Sequence, residues 1–161
     1  KVVLWAHNAH VARHHGYASE AGGNMGWQLS RTWGDDYRTI GLTFNRGEFR
    51  AKVFDADGAV TEQPRHVVFA VDPPSDSFNR LLDAPAARRF VLPMLDIDTD
   101  SPLGEWLAGE RAVLGVGDLF LGYEKIGEYH YGGDRVLEPL RAFDAILHLE
   151  GTTPTAGLPT Q

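Results

Sequence analysis

Residues 37–53 read YRTIGLTFNRGEFRAKV, and the spacing of apolar side chains in this stretch separates a sheet-based fold from a helical one. Ile40, Leu42 and Phe44 recur at every second position. Beyond Arg46-Gly47 the alternation resumes with Phe49, Ala51 and Val53. A period of two puts Ile40, Leu42 and Phe44 on one face of a strand; an amphipathic helix would need spacings of three and four. Asp55-Ala56-Asp57-Gly58 then supplies turn residues, and HVVFAV (66–71) reads as a further strand. Residues 37–71 are therefore expected to form a hairpin-like unit.

Working outward toward the N-terminus, Asn24 is placed to cap a helix over 25–33. Met25, Leu29 and Trp33 form its apolar stripe and Gly34 its stop, while Trp27 falls off the stripe. Before it, residues 2–6 (VVLWA) read as a short buried strand with Trp5 in the core. Toward the C-terminus, Ser75 is expected to cap a short helix carrying Phe78, Leu81 and Leu82. Residues 89–95 read as a strand. Ser101-Pro102 opens a helix with Leu103, Trp106 and Leu107, and FDAILHL (143–149) reads as a final buried strand. Strands alternating with short helices around one hairpin-like section indicate an α/β fold with a mixed sheet.

The 161 residues suit one domain, and 43% hydrophobic with 23% charged residues places the chain among globular rather than disordered proteins. A formal charge of −7 argues against nucleic acid as a partner. No apolar run reaches the roughly 18 residues of a membrane helix. No signal peptide is visible, so a cytoplasmic location without membrane partners is expected. With no cysteine there is no disulfide, thiolate metal site or thiol nucleophile. The chain lacks an initiating Met and opens on an apolar run, which leads to the expectation of a partial domain cut from a longer protein.

Common catalytic motifs are absent or degraded. There is no G-x-S-x-G nucleophile elbow. Gly115-Val116-Gly117 starts like a dinucleotide loop, but Phe120 stands where the third glycine belongs. Asp96-Ile97-Asp98-Thr99-Asp100-Ser101 imitates a calcium loop, yet Ser101 and Leu107 occupy the positions of the turn glycine and the bidentate glutamate. No metal site or cofactor is expected from either.

What remains is WAHNAHVARHH (5–15), with four of the seven histidines. His7 and His10 are three apart, so a helical turn beyond a strand would aim both into one crevice, where α/β sheets bind ligands. Zinc is disfavoured, because the zincin helix spaces its histidines four apart around a glutamate. A structural pair at a strand end and a pair acting on a water proton both fit the spacing. His14 and His15, between Arg13 and Gly16, read as solvated loop residues.

VVLWAHNAHVAR (2–13), MGWQLSRTWGDDYRTIGLTFNRGEFRA (25–51) and FDAILHLEGTTPT (143–155) together resemble, in order and spacing, the C-terminal part of the erythromycin esterase family. That resemblance implies a three-layer α/β/α domain with a mixed sheet, present here as a partial domain over 1–161 and completed by an N-terminal half. It implies a hydrolase cleaving a carboxylic ester, such as a macrolide lactone, by metal-independent, histidine-assisted attack of water, as in macrolide resistance. His7 and His10 become the expected catalytic residues. Asn8 and Trp27 become expected substrate-binding residues. The expected partners are a small-molecule ester and the N-terminal half of the same protein, without which the fragment should be inactive. The alternatives are a non-catalytic relative that binds a ligand, for example haem through histidine, and a metal-dependent hydrolase.

Overall fold

The computed structural model describes residues 1–14, 23–55, 57–70, 75, 77–83, 87–113 and 136–154. His15 and Gly115-Val116-Gly117 lie outside these residues. Four strands form the main sheet: β1 (Ile40–Ala51), β2 (Arg65–Ala70), β3 (Arg89–Pro93) and β6 (Ala145–Thr152), in the order β2-β1-β6-β3. The two central strands, β1 and β6, run parallel, with Leu42 opposite Leu147 and Thr43 opposite His148. Both edge strands are antiparallel to their neighbours. The fold is therefore α/β with a mixed sheet, as the alternation of elements indicated. A two-stranded ribbon, β4 (Arg111–Ala112) with β5 (Val136–Leu137), lies outside it.

Helices α1 (Asn8–Val11), α2 (Met25–Trp33), α3 (Phe78–Asp83), α4 (Pro102–Ala108) and α5 (Pro139–Ala142), with a 3-10 turn over Gly34–Asp36, complete the described elements. Among these residues no helix is long and apolar enough to cross a membrane. The Asn24 cap forms, its side chain accepting from Trp27 N, and so does the Ser101 cap with Pro102 in the first turn. The cap of α3 is Ser77, whose Oγ accepts from Arg80 N at 3.1 Å, and not Ser75. The residue directly before the helix can reach the third amide; one two positions earlier cannot.

The core joins Phe78 and Leu82 of α3, Leu107 of α4, Ala142 of α5 and Val11-Ala12 to Phe143 and Ile146. These side chains cover the sheet face formed by Gly41, Thr43, Ile146 and His148. The alternation in β1 is real, but its apolar side is the open one: Ile40, Leu42, Val68 and Val91 are 59%, 37%, 55% and 59% exposed. The covered residues of β1 are Gly41, Thr43 and Asn45. Thr43 and Asn45 can be covered because their side chains are hydrogen-bonded, so periodicity finds the strand without saying which face is packed. β1 stays continuous through Gly47, at φ 135°, where a Cβ would run into the main chain of Thr152. Only glycine meets both demands there.

Residues 2–6 correct the expectation of a buried strand. They pair with no strand, and Val2, Val3 and Trp5 are 83%, 93% and 86% exposed. An apolar run becomes a buried strand only where a neighbouring strand and a packed layer receive it, and the described residues provide neither. The helix over 25–33 has the expected bounds, but its stripe faces outward: Met25 and Trp33 are exposed, and Gly26 is the buried residue, pressed on the carbonyls of Val11 and Ala12.

Candidate active site around the first helical turn

The turn that the three-residue spacing requires is α1. Its cap is His7, with extended backbone and a side chain whose Nδ1 accepts a hydrogen bond from Ala9 N at 3.1 Å. Histidine here does the work that Ser, Asp or Asn does at most helix starts. The bond fixes the ring's chemistry, because an Nδ1 that accepts an N–H holds a lone pair and the neutral ring's proton is then on Nε2. His10, one turn on, presents its ring edge to His7 with centroids 6.4 Å apart and planes at 74°. His7 is half-buried and His10 exposed. Among the described residues no group of three or more His, Asp or Glu could hold a metal ion.

Asn8 fixes this turn to the sheet. Its Nδ2 donates to Leu42 O at 2.6 Å and its Oδ1 accepts from Leu42 N at 2.9 Å. The amide thus satisfies both main-chain groups of Leu42 as a neighbouring strand would, beyond the part of β1 that β2 covers (46–51). That geometry makes Asn8 a positioning residue. Asn24 ties α2 to α1, with Nδ2 donating to Ala9 O at 2.6 Å while Oδ1 caps its own helix.

The other end of α1 is held by charge. Arg13 Nη2 donates to both carboxylate oxygens of Asp144, at 2.7 and 2.6 Å, and to Tyr37 O at 2.7 Å. Asp144 Oδ2 also accepts from Thr39 N at 2.7 Å, and Asp144 is 7% exposed. Tyr37 Oη and Thr39 Oγ1 both donate to Val11 O. One buried carboxylate therefore locks the exit of α1 to the starts of β1 and β6.

Trp27 is half-buried in the first turn of α2. Its ring lies against Gly23 and carries the Arg31 guanidinium 4.7 Å from its centroid. These contacts account for its place without a ligand. His14 differs from the solvated loop residue expected, for its Nδ1 is buried and has no hydrogen-bond partner among the described residues. Sequence reading also passed over His148, 2% exposed on β6, bonded through Nδ1 to Thr43 Oγ1 at 2.9 Å and against the Phe90 ring. Burial pulls its pKa below the usual imidazole value, against the opposing pull of Asp83 and Glu150. A lone His inside the apolar run AILHL carried no spacing signal that could have singled it out.

A family model described as erythromycin esterase matches residues 1–152. No curated protein matches the chain. Among solved structures, a Bacillus cereus protein superposes with a TM-score of 0.69 at 18% identity, over 94% of this chain and 33% of that one. A succinoglycan biosynthesis protein follows at 0.66 and 24%, over 92% and 32%. An erythromycin esterase mutant in its open conformation gives 0.48 and 22%, over 96% and 32%. The chain thus spans about a third of the length of each. At these identities the first two likenesses establish the fold alone.

Proposed function

The chain belongs to the erythromycin esterase family, and from that premise we propose that it is the C-terminal part of a carboxylic ester hydrolase in which His7 donates a hydrogen bond to the reacting carbonyl. The observation that carries this reading is the bond from Ala9 N to His7 Nδ1. A ring held in that way carries its proton on Nε2 and has no lone pair there to take a proton from water. Oxyanion stabilisation needs such a fixed donor, oriented before charge develops. Water then adds to the ester carbon, negative charge builds on the carbonyl oxygen opposite Nε2–H, and the C–O bond breaks as the alcohol leaves. His10, beside His7, orients the water or the His7 ring. The base belongs to the N-terminal part of the whole protein, which is the partner this reading requires. Asn8 and Trp27 shape the wall of the cleft by holding α1 and α2 in place. The substrate class is a small-molecule ester, with macrolide lactones as one candidate.

The test is hydrolysis by the whole protein of a panel of simple aryl esters and macrolide lactones, with and without a chelator. Chelator-insensitive release of acid supports the reading. No hydrolysis of any ester, or activity abolished by chelation, overturns it.

A further inference from the structure

A polar cavity of about 180 Å³ opens beside His148 and is lined by Arg46, Asp83, Arg88 and Glu150 among others; neither His7 nor His10 borders it. It lies against the covered side of the sheet, where apolar packing is the rule, yet Thr43, Asn45, Asn79 and His148 are all buried there. Their order is specific. Asn79 Nδ2 donates to Phe44 O and Asn45 Oδ1, and Asn45 Nδ2 donates to Asp83 Oδ1 at 2.8 Å. Asp83 is thus aimed from behind, as His148 is by Thr43.

The cavity-side groups are less well satisfied. Arg46 Nη2 stands 3.5 Å from Asp83 and 3.7 Å from Glu150, and Arg88 Nε stands 3.2 Å from Glu150. The two guanidiniums are 55% and 84% exposed, so their remaining N–H donors stay open toward the cavity mouth. No hydrogen bond engages His148 Nε2 among the described residues, although the side chain is 2% exposed and lines the cavity.

We propose that this cavity binds a small neutral polyhydroxyl ligand, a monosaccharide unit or a cyclic polyol. Two arginines face two carboxylates, so an anion would meet Asp83 and Glu150 and a cation would meet Arg46 and Arg88. A hydroxyl group suits both, donating to a carboxylate and accepting from a guanidinium. It also suits His148 Nε2 in either tautomer. The small volume limits the occupant to one ring, below the usual drug-sized pocket of about 300 Å³ or more. The proposal stands apart from the role given to His7.

The experiment is a titration of the whole protein with glucose, methyl α-glucoside and myo-inositol, followed by the NMR signals of the His148 ring. Inorganic phosphate and acetate serve as comparison ligands. At least one polyol should shift His148 saturably, half-saturating at about 1–10 mM for so few contacts. Glu150→Gln and Arg88→Gln should each weaken that binding about tenfold or more. Arg88 is 84% exposed in its side chain, so its replacement leaves folding intact and keeps the test decisive if Glu150→Gln misfolds. Tighter binding of methyl α-glucoside than of glucose would assign the site to a sugar carried on a larger molecule; the reverse would assign it to the free sugar, and either supports the proposal. It is overturned if no polyol shifts His148 up to about 100 mM, if phosphate or acetate saturates first, or if both variants bind as well as the parent.

Discussion

Replacing Asp144 with Ala should unhinge the histidine turn from the sheet. The carboxylate accepts three hydrogen bonds, two from Arg13 and one from Thr39 N, and has a longer ion pair with Arg38 at 3.5 Å. Breaking a buried ion pair by removing one partner costs about 3–5 kcal/mol, because the remaining charge stays buried. Arg13 retains 21% exposure of its side chain, which puts its share at the lower end. Thr39 N–H, in a residue 3% exposed, adds about 1 kcal/mol as a buried donor left unmade. The sum is about 3–4 kcal/mol, or roughly 6–16 °C in Tm for a chain of this size. Urea unfolding followed by far-UV circular dichroism reads it directly. Arg38→Ala is the control: its side chain is 54% exposed and its pair long, so it should cost less than about 1 kcal/mol. A loss below about 1 kcal/mol for Asp144→Ala, or one equal to that of Arg38→Ala, would refute the view that Asp144 anchors α1.

Asn8→Ala removes both side-chain bonds to Leu42 and should cost about 1–2 kcal/mol, with faster hydrogen exchange at the Leu42 amide as the local signature. Gly47→Ala combines an unfavourable φ with a collision against Thr152 and should cost about 2 kcal/mol or more by urea midpoint. His148 has its pKa lowered by burial. The unfolded chain therefore takes up that proton first, and stability, complete above about pH 6.5, falls as pH drops toward the lower folded-state value. His148→Asn should flatten the decline below about pH 6.5, measured as the difference in urea midpoints; an unchanged decline would remove His148 as its source.

Much of the architecture is legible in local pattern. The alternation from Ile40 onward locates β1, Asn24 and Ser101 announce the helices they cap, and the run FDAILHL (143–149) locates β6, starting two residues early and stopping three short. What the pattern leaves open is which neighbour each face meets. Ile40 and Leu42 look like core and lie on the open face, while Gly41, Thr43 and Asn45, which look unremarkable, are the covered side. Trp5 fails for the same reason, since burial depends on a partner layer that apolarity does not supply. In the site, the spacing of His7 and His10 forecast a turn. The cap by Nδ1 and the clamp of Asn8 on Leu42 depend on contacts 2 and 34 residues away that no periodicity encodes. His148 and Asp144 are invisible for the same reason, each defined by partners more than 100 residues distant.

The role proposed for His7 is that of a fixed hydrogen-bond donor at the start of α1. His7→Asn tests it most directly, because Asn keeps a good helix cap and removes the imidazole. His66→Asn, on the exposed pair with Glu48, is the control. Measured as kcat/KM of the whole protein on its best ester, His7→Asn should lower the value about 10²-fold or more with Tm nearly unchanged, and His66→Asn should leave it within about twofold of the parent. Equal kcat/KM for the two variants, both near the parent, would remove His7 from that role.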